Sequence, residues 1–223
     1  MPGLLIFSAL MQLSIRQVLP DYFENKVTDK SEIWGKQLDF DKGDYIKIVA
    51  PSGSGKSSLV SFLYGLRKEY KGSILYDGKS LATFGPEDLS RYRKDHLSIV
   101  FQGLRLFPDR TARENIEIKR QLHPFHPEKK ATEMAEQLGV ADKLSSLCRT
   151  CSFGEQQRIA IIRALMQPFD FLLLDEPFSH LDNPNAEKAM KLILEECRLR
   201  NASIILAELE RLDYFPFTHL YHL

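Results

Sequence analysis

The sequence predicts an α/β fold: a core built on a mostly parallel sheet, an N-terminal antiparallel β subdomain and a helical insert subdomain, all in one domain over residues 1–223. Three observations predict it. Leu97-Ser98-Ile99-Val100-Phe101, Phe171-Leu172-Leu173-Leu174 and Ser203-Ile204-Ile205-Leu206 are short continuous apolar runs separated by helical stretches, the pattern of parallel strands covered on both faces. Residues 11–49, with 72–78, read instead as short strands joined by tight turns, as in an antiparallel sheet. Finally, a glycine-rich loop over residues 50–57 joins a strand-like run to an amphipathic segment. Right-handed crossovers then place the parallel strand ends and their loops along one edge.

Bulk properties narrow the function classes. With 223 residues, 43% of them apolar, the chain builds a core without disulfide or metal staples. Thirty basic residues balance thirty acidic ones, so no global field draws the chain to nucleic acid or to an anionic membrane face, and partners must be read by local shape. Three cysteines, an odd number, argue for a reducing compartment and against a disulfide framework. No internal repeat or low-complexity linker divides the chain.

Residues 1–10 are apolar but too short to span a bilayer and lack the basic start of a secretion signal. They are expected to form an extension packed against the first sheet. Gln12-Leu13-Ser14-Ile15-Arg16 is the first clean strand. No other apolar run approaches membrane-spanning length, so association with a membrane is expected to go through another polypeptide.

Tyr45-Ile46-Lys47-Ile48-Val49 reads as a buried strand, and Leu59, Phe62, Leu63 and Leu66 fall on one helical face. Between them lies Ala50-Pro51-Ser52-Gly53-Ser54-Gly55-Lys56-Ser57, followed by Ser58. Small residues let successive backbone N–H groups turn toward a phosphate; Lys56 reaches the β and γ oxygens, and the Ser57 hydroxyl suits Mg²⁺. The segment is expected to bind a nucleoside triphosphate through Ser52, Gly53, Ser54, Gly55, Lys56, Ser57 and Ser58. Ala50 stands where the full G-x-x-x-x-G-K-S pattern has its first glycine, a change expected to be tolerated although a methyl restricts φ. Further on, Asp77-Gly78 is a hairpin signal.

Between about Leu104 and Thr150, apolar residues such as Ala131, Met134, Ala135 and Leu138 recur at helical spacing, marking 104–150 as the helical insert. Ser152 with Glu155 forms a capping box opening a helix that carries Ile159, Ile162 and Leu165. That helix start is either a well-capped terminus or an anion site. Asp175 and Glu176 follow directly on a buried strand, where a phosphate-loop fold needs its Mg²⁺-holding carboxylate. Asp175 is read as that acid, and Glu176 as the group that accepts a proton from, or orients, an attacking water.

In their order, the phosphate loop, the glutamine of Val100-Phe101-Gln102, Ser152-Phe153-Gly154-Glu155-Gln156-Gln157, the acidic pair and Ser179-His180-Leu181-Asp182 give a combination that resembles the ATP-binding cassette ATPases. These are the nucleotide-hydrolysing subunits of membrane transporters, and the resemblance covers essentially the whole chain. Arg91-Tyr92-Arg93, Leu106-Phe107-Pro108 and Glu114-Asn115-Ile116 resemble the branch serving lipoprotein release and macrolide export. The resemblance implies a P-loop NTPase core with ATP and Mg²⁺ as cofactors and an ATPase with Glu176, Gln102 and Lys56 in catalysis. It implies Mg²⁺ held by Ser57, Gln102 and Asp175. It further implies a dimer with a second ATPase subunit, of the same or another chain, arranged head to tail so that one subunit's Ser152 and Gly154 meet the other's nucleotide and Asp182 communicates across the interface. A transmembrane permease subunit would hold the chain, cytoplasmic, on the inner face of the cell membrane.

Two positions depart from the family pattern. Phe153 replaces the first glycine of the signature, and its ring either hinders closure onto phosphate or swings aside into the helical insert. The histidine that usually follows the last strand is absent from Ala207-Glu208-Leu209-Glu210. Leu209 cannot donate a hydrogen bond and a charged Glu208 would repel the phosphate. Slow hydrolysis is therefore expected, with a hydrolysis-deficient, nucleotide-gated regulatory cassette as the alternative function. A DNA- or ribosome-directed cassette would carry two cassettes or long coiled-coil inserts, which this chain lacks. Tyr22 and Phe23 are candidates to stack on adenine. Cys148-x-x-Cys151 with His123-x-x-His126 has the pair spacing of a zinc site, against packing or surface roles for the same residues.

Overall fold

The structure, a computed structural model, describes residues 11–23, 30–209 and 215–223; the extension expected over residues 1–10 lies outside them. An antiparallel sheet is formed by β1 (Gln12–Pro20), β2 (Gln37–Asp41), β4 (Tyr70–Tyr76) and β5 (Lys79–Ser80) in the order β2-β1-β4-β5. Asp77 and Gly78, at φ 47° and 75°, make the two-residue turn between β4 and β5, the left-handed pair that matches the twist of a hairpin.

The second sheet runs β6-β7-β8-β3-β9, comprising β6 (Leu97–Val100), β7 (Phe171–Asp175), β8 (Ser203–Glu208), β3 (Tyr45–Val49) and β9 (His219–His222). All four pairings are parallel. The expected antiparallel half, residues 11–49, is corrected here: β3 belongs to the parallel sheet, with Ile46, Lys47 and Ile48 fully buried. Its pairing with β8 on one side and β9 on the other buries both faces, and local sequence cannot reveal that.

Helix α1 (Lys56–Leu63) follows the phosphate loop. Leu59, Phe62 and Leu63 are fully buried as its periodicity predicts, but Leu66 is 37% exposed and lies beyond the helix. A Schellman end stops the helix first, with Gly65 at φ 67°, its N–H donating to the Phe62 carbonyl and the Leu66 N–H to the Ser61 carbonyl.

Helix α2 (Pro86–Asp95) leads into β6, and the insert follows with α3 (Ala112–Leu122), α4 (Glu128–Gln137) and two 3₁₀ turns. Ala131, Met134 and Ala135 are fully buried and Leu138 nearly so. They join one core with α5 (Phe153–Leu165) and α6 (Asn183–Arg200), while a second core lies between the two sheets around α1. Among the described residues no helix is long and apolar enough to cross a membrane.

β1 carries a bulge where the register with β4 shifts between Arg16 and Leu19, and Gln17 sits at φ 54°. Gly72 of β4 is held against it at φ 84°, where a Cβ would meet the Gln17 carbonyl oxygen at 2.3 Å. Backbone meets backbone there, so no side chain can move aside. Gly72→Ala should cost about 3 kcal/mol through φ strain and clash together, read as a lower midpoint in urea unfolding with an unchanged slope.

Candidate nucleotide-binding site

The phosphate loop turns because its two glycines take left-handed geometry, Gly53 at φ 80° and Gly55 at φ 96°. Ala50 has no positive φ, so its methyl brings no left-handed backbone strain. Gly55 is also required sterically: a Cβ would approach the Phe23 ring at 3.0 Å and Trp34 at 3.1 Å. Trp34 is 1% exposed and its indole N–H donates to the Ser54 carbonyl at 3.2 Å, propping the loop from beneath. Sequence reasoning passed over Trp34; the lone tryptophan of the chain was the available signal.

Lys56, 4% exposed, donates from Nζ to the Ala50 and Pro51 carbonyls at 2.9 and 3.1 Å and pairs with Glu176 Oε1 at 3.3 Å. Ser57 Oγ donates to Asp175 Oδ1 at 3.1 Å and lies 3.4 Å from Gln102 Oε1. The other end of the same amide, Gln102 Nε2, donates to Glu176 Oε2 at 3.1 Å. Two strand ends, a loop and a helix start thus converge on one point. Ser52, Gly53, Gly55, Lys56, Ser57, Ser58, Gln102 and Glu176, together with Tyr22, line a cavity of about 250 Å³.

The Ser57 hydroxyl, Gln102 amide oxygen and Asp175 carboxylate form a set of hard oxygen donors, which suits Mg²⁺ completed by phosphate oxygens and water. The hydroxyl of Ser54 is buried without a hydrogen-bond partner among the described residues. Burial pushes the Asp175 carboxyl up from its ordinary value, assisted by the neighbouring charge of Glu176. Glu176 itself sits at φ 48°, a left-handed conformation costly for a residue with a Cβ and common where a side chain must be aimed at chemistry.

Tyr22 and Phe23 divide their roles. Phe23 packs edge-on against Trp34 with ring centroids 5.6 Å apart, whereas Tyr22 is 52% exposed at the cavity and its hydroxyl bonds the Ser58 hydroxyl. Of the two, Tyr22 is the one that lines the cavity.

Ser152, Gly154 and Asp182 stand outside that cavity lining. Ser152 caps α5, its Oγ accepting from the Glu155 N–H while the Glu155 carboxylate accepts from the Ser152 N–H. Asp182 caps α6 by accepting from the Asn185 N–H at 2.9 Å. A Cβ on Gly154 would lie 3.0 Å from the His180 carbonyl oxygen, so α5 packs directly on the loop after the acidic pair. Phe153 does not enter the helical insert: its ring, 45% exposed, lies against His180 with centroids 4.2 Å apart. The insert core is already filled, and the helix start points this side chain outward.

Gln157, fully buried, ties the two clusters together. Its Nε2 donates to the Glu176 carbonyl at 3.3 Å and its Oε1 accepts from the His180 N–H at 3.2 Å. Its position inside the signature segment was visible, its function as a bridge was not.

The expected charge at Glu208 also needs revision. Glu208 ends β8, is 8% exposed, and Oε1 has no hydrogen-bond partner among the described residues. Burial first, and the Glu176 charge second, push its carboxyl up to about 8, so at neutral pH it is mostly uncharged and does not repel phosphate as a carboxylate would. Leu209, 43% exposed, is turned to solvent.

The zinc reading fails. Among the described residues no group of three or more His, Cys, Asp or Glu is placed to hold a metal. His123 Nδ1 pairs with Asp95 at 2.7 Å and His126 Nε2 with Glu196 at 2.6 Å. Cys148 and Cys151 are buried, and burial pushes the Cys148 thiol up to about 11, leaving it protonated and a poor ligand.

This constellation defines a phosphate-loop nucleotide-binding protein, and comparison with known proteins makes the class specific. The family model described as ABC transporter matches residues 35–179, and the chain belongs to that family. It is 38% identical over 173 residues to the macrolide export ATP-binding/permease protein MacB of Nitrosomonas europaea, spanning 75% of this chain and 26% of that one. It is 33% identical over 173 residues to an uncharacterized ABC transporter ATP-binding protein of Mycobacterium tuberculosis, spanning 76% and 70% of the two chains. Among solved structures, the dimeric post-hydrolysis state of the ATP-binding cassette MJ0796 bound to ADP and Pi superposes with a TM-score of 0.77 at 25% identity, covering 89% of this chain and 88% of that one. The expected likeness to the macrolide-export branch is thus met. The chain spans only about a quarter of the MacB relative.

Replacing Gln157 by Leu removes its hydrogen bonds to the Glu176 carbonyl, the Ser179 hydroxyl and the His180 N–H and leaves the Glu176 carbonyl only the longer bond from the Ser179 N–H at 3.4 Å. The variant should lose roughly 2 kcal/mol of stability in denaturant unfolding.

Proposed function

We propose that this chain is the ATP-binding subunit of a membrane transporter, coupling ATP binding and slow hydrolysis to substrate movement by a separate transmembrane permease subunit. The observation that carries this reading is the convergence of Lys56, Ser57, Gln102 and Glu176 on one cavity, with Asp175 bonded to Ser57 behind it. The loop amides of residues 52–58 cradle the phosphates, Lys56 neutralises their terminal oxygens, and Tyr22 offers its ring to adenine. Mg²⁺, held by Ser57, Gln102 and Asp175, supplies charge neutralisation across the phosphates when bound. Glu176 orients the attacking water and accepts its proton, and the Gln102 amide fixes the Glu176 carboxylate.

Ser152, Gly154 and Asp182 complete the site of a second cassette subunit, of the same or another chain. Ser152 is exposed at the N-terminus of α5, which suits contact with another surface's phosphates, Asp182 is exposed at the start of α6, where it can communicate across the interface, and MJ0796 is described as dimeric. The permease subunit places the chain at the inner face of the cell membrane. A second reading, a hydrolysis-deficient regulatory cassette, is favoured by one observation: the exposed Phe153 ring standing beside Gly154 at the start of α5. Turnover with and without a membrane partner separates the two.

Lys56→Ala should weaken ATP binding, measured by calorimetry with Mg²⁺ present, by about tenfold or more. Glu176→Gln should retain binding while turnover falls roughly 10² to 10⁴-fold, the usual contribution of a positioned base. Absence of any heat of ATP binding to the folded wild-type chain would remove the reading altogether.

A further inference from the structure

We propose that Arg67 is a positioning residue for the nucleobase: it holds the Tyr22 ring at the cavity, so that the ring receives adenine with little left to order. The proposal rests on the nucleotide-binding reading above and adds to it a residue that stands outside the cavity lining. The Schellman end of α1 turns the chain back at Gly65, and the Arg67 N–H donates to the Ser61 carbonyl at 3.4 Å. From there the Arg67 side chain reaches the first turn of α1, where Nη1 donates to the Ser58 hydroxyl at 3.1 Å. The segment that carries Tyr22 arrives beside it: Pro20, the last residue of β1, pairs with Tyr70, the first of β4, and the Asp21 N–H donates to the Glu69 carbonyl at 3.1 Å.

The guanidinium is itself fixed on two sides. Its Nε donates to Glu69 Oε2 at 3.2 Å while Nη1 holds Ser58, which sets the plane of the group. Its Cζ lies 5.5 Å from the ring centroid of Phe62 and 5.7 Å from that of Tyr22. Phe62 is fully buried, whereas Tyr22 is 52% exposed, so the cation carries the rigidity of the core out to a surface ring. The Ser58 oxygen that accepts from Arg67 also bonds the Tyr22 hydroxyl, and Phe23 packs edge-on against Tyr22 with centroids 5.1 Å apart. Tyr22 and Ser58 both line the cavity, and Arg67 is the group that binds them to each other. A ligand landing on a free surface side chain pays for that side chain's lost rotamers, and a ring held beforehand spares most of that cost. Cation–π attraction strengthens the hold on one face and leaves the base to the other.

The test measures the affinities of ATP and of inorganic tripolyphosphate calorimetrically, with Mg²⁺, for the wild type, Arg67→Gln, Arg67→Lys, Tyr22→Ala and the Tyr22→Ala, Arg67→Gln double variant. Tripolyphosphate has the phosphate chain without the base, so the ATP/tripolyphosphate ratio isolates what the base gains and cancels the loss of one positive charge near the phosphates. Arg67→Gln should lower that ratio by roughly three- to tenfold. Arg67→Lys keeps the charge but lacks the planar fork that spans Ser58 and Glu69, and should lower the ratio nearly as far. Tyr22→Ala should lower it by itself, and Arg67→Gln should then take nothing further away, because the residue acts through that ring.

Urea unfolding of the same variants separates positioning from folding. The Arg67 and Glu69 side chains are 39% and 61% exposed, and an ion pair so placed adds little to stability, so Arg67→Gln should unfold at nearly the wild-type midpoint while its ratio falls. An unchanged ratio in Arg67→Gln, full retention of the ratio by Arg67→Lys, or an equal further fall in the Tyr22→Ala background would overturn the proposal, and so would a ratio that drops only in step with the unfolding midpoint. Binding of both ligands with an unchanged ratio would remove only the role given to Arg67. Failure of the folded wild type to bind either ligand would overturn the nucleotide-binding reading and this one together.

Discussion

Parallel pairing of β3, β8 and β7 is the constraint on which the rest depends. Strands that run the same way deliver their ends to the same edge, so Val49, Glu208 and Asp175 finish side by side although they are far apart in sequence. The phosphate loop leaves from one of those ends and the acidic pair from another, while Glu208 closes the third. Antiparallel pairing at either seam would send one member to the opposite edge of the sheet.

What accumulates at that edge is a balance of charge in a buried setting. Lys56 is shared between two loop carbonyls and Glu176, and the adjacent Asp175 and Glu208 are both pushed toward their neutral forms by burial.

A second layer connects this chemistry to the outer surface. Gln157 bridges the Glu176 carbonyl to the His180 N–H, and Gly154 allows α5 to approach the same loop. Displacement of the loop after β7 must therefore be felt at the N-terminus of α5, where Ser152 and Phe153 are exposed. Phe153 on His180 is an aromatic contact at the rim of that surface, in place of the bare backbone a glycine would give.

The sequence by itself determined the local machinery. Ser52 to Ser58, Asp175 with Glu176, the Ser152 capping box, the Asp77-Gly78 turn and the buried face of residues 131–138 are each written in contiguous residues, whose spacing and turn chemistry need no distant partner. Only the tertiary structure decided that β3 joins the parallel sheet, that α1 stops before Leu66, that Trp34 props the loop, that Tyr22 and not Phe23 faces the cavity, and that Gln157 is a bridge. Each of those depends on what lies across a sheet or beneath a helix. Glu208 shows the division most clearly: its letter suggested a charge, whereas burial and the neighbouring Glu176 push its carboxyl toward the neutral form, and both exist only once the chain has folded.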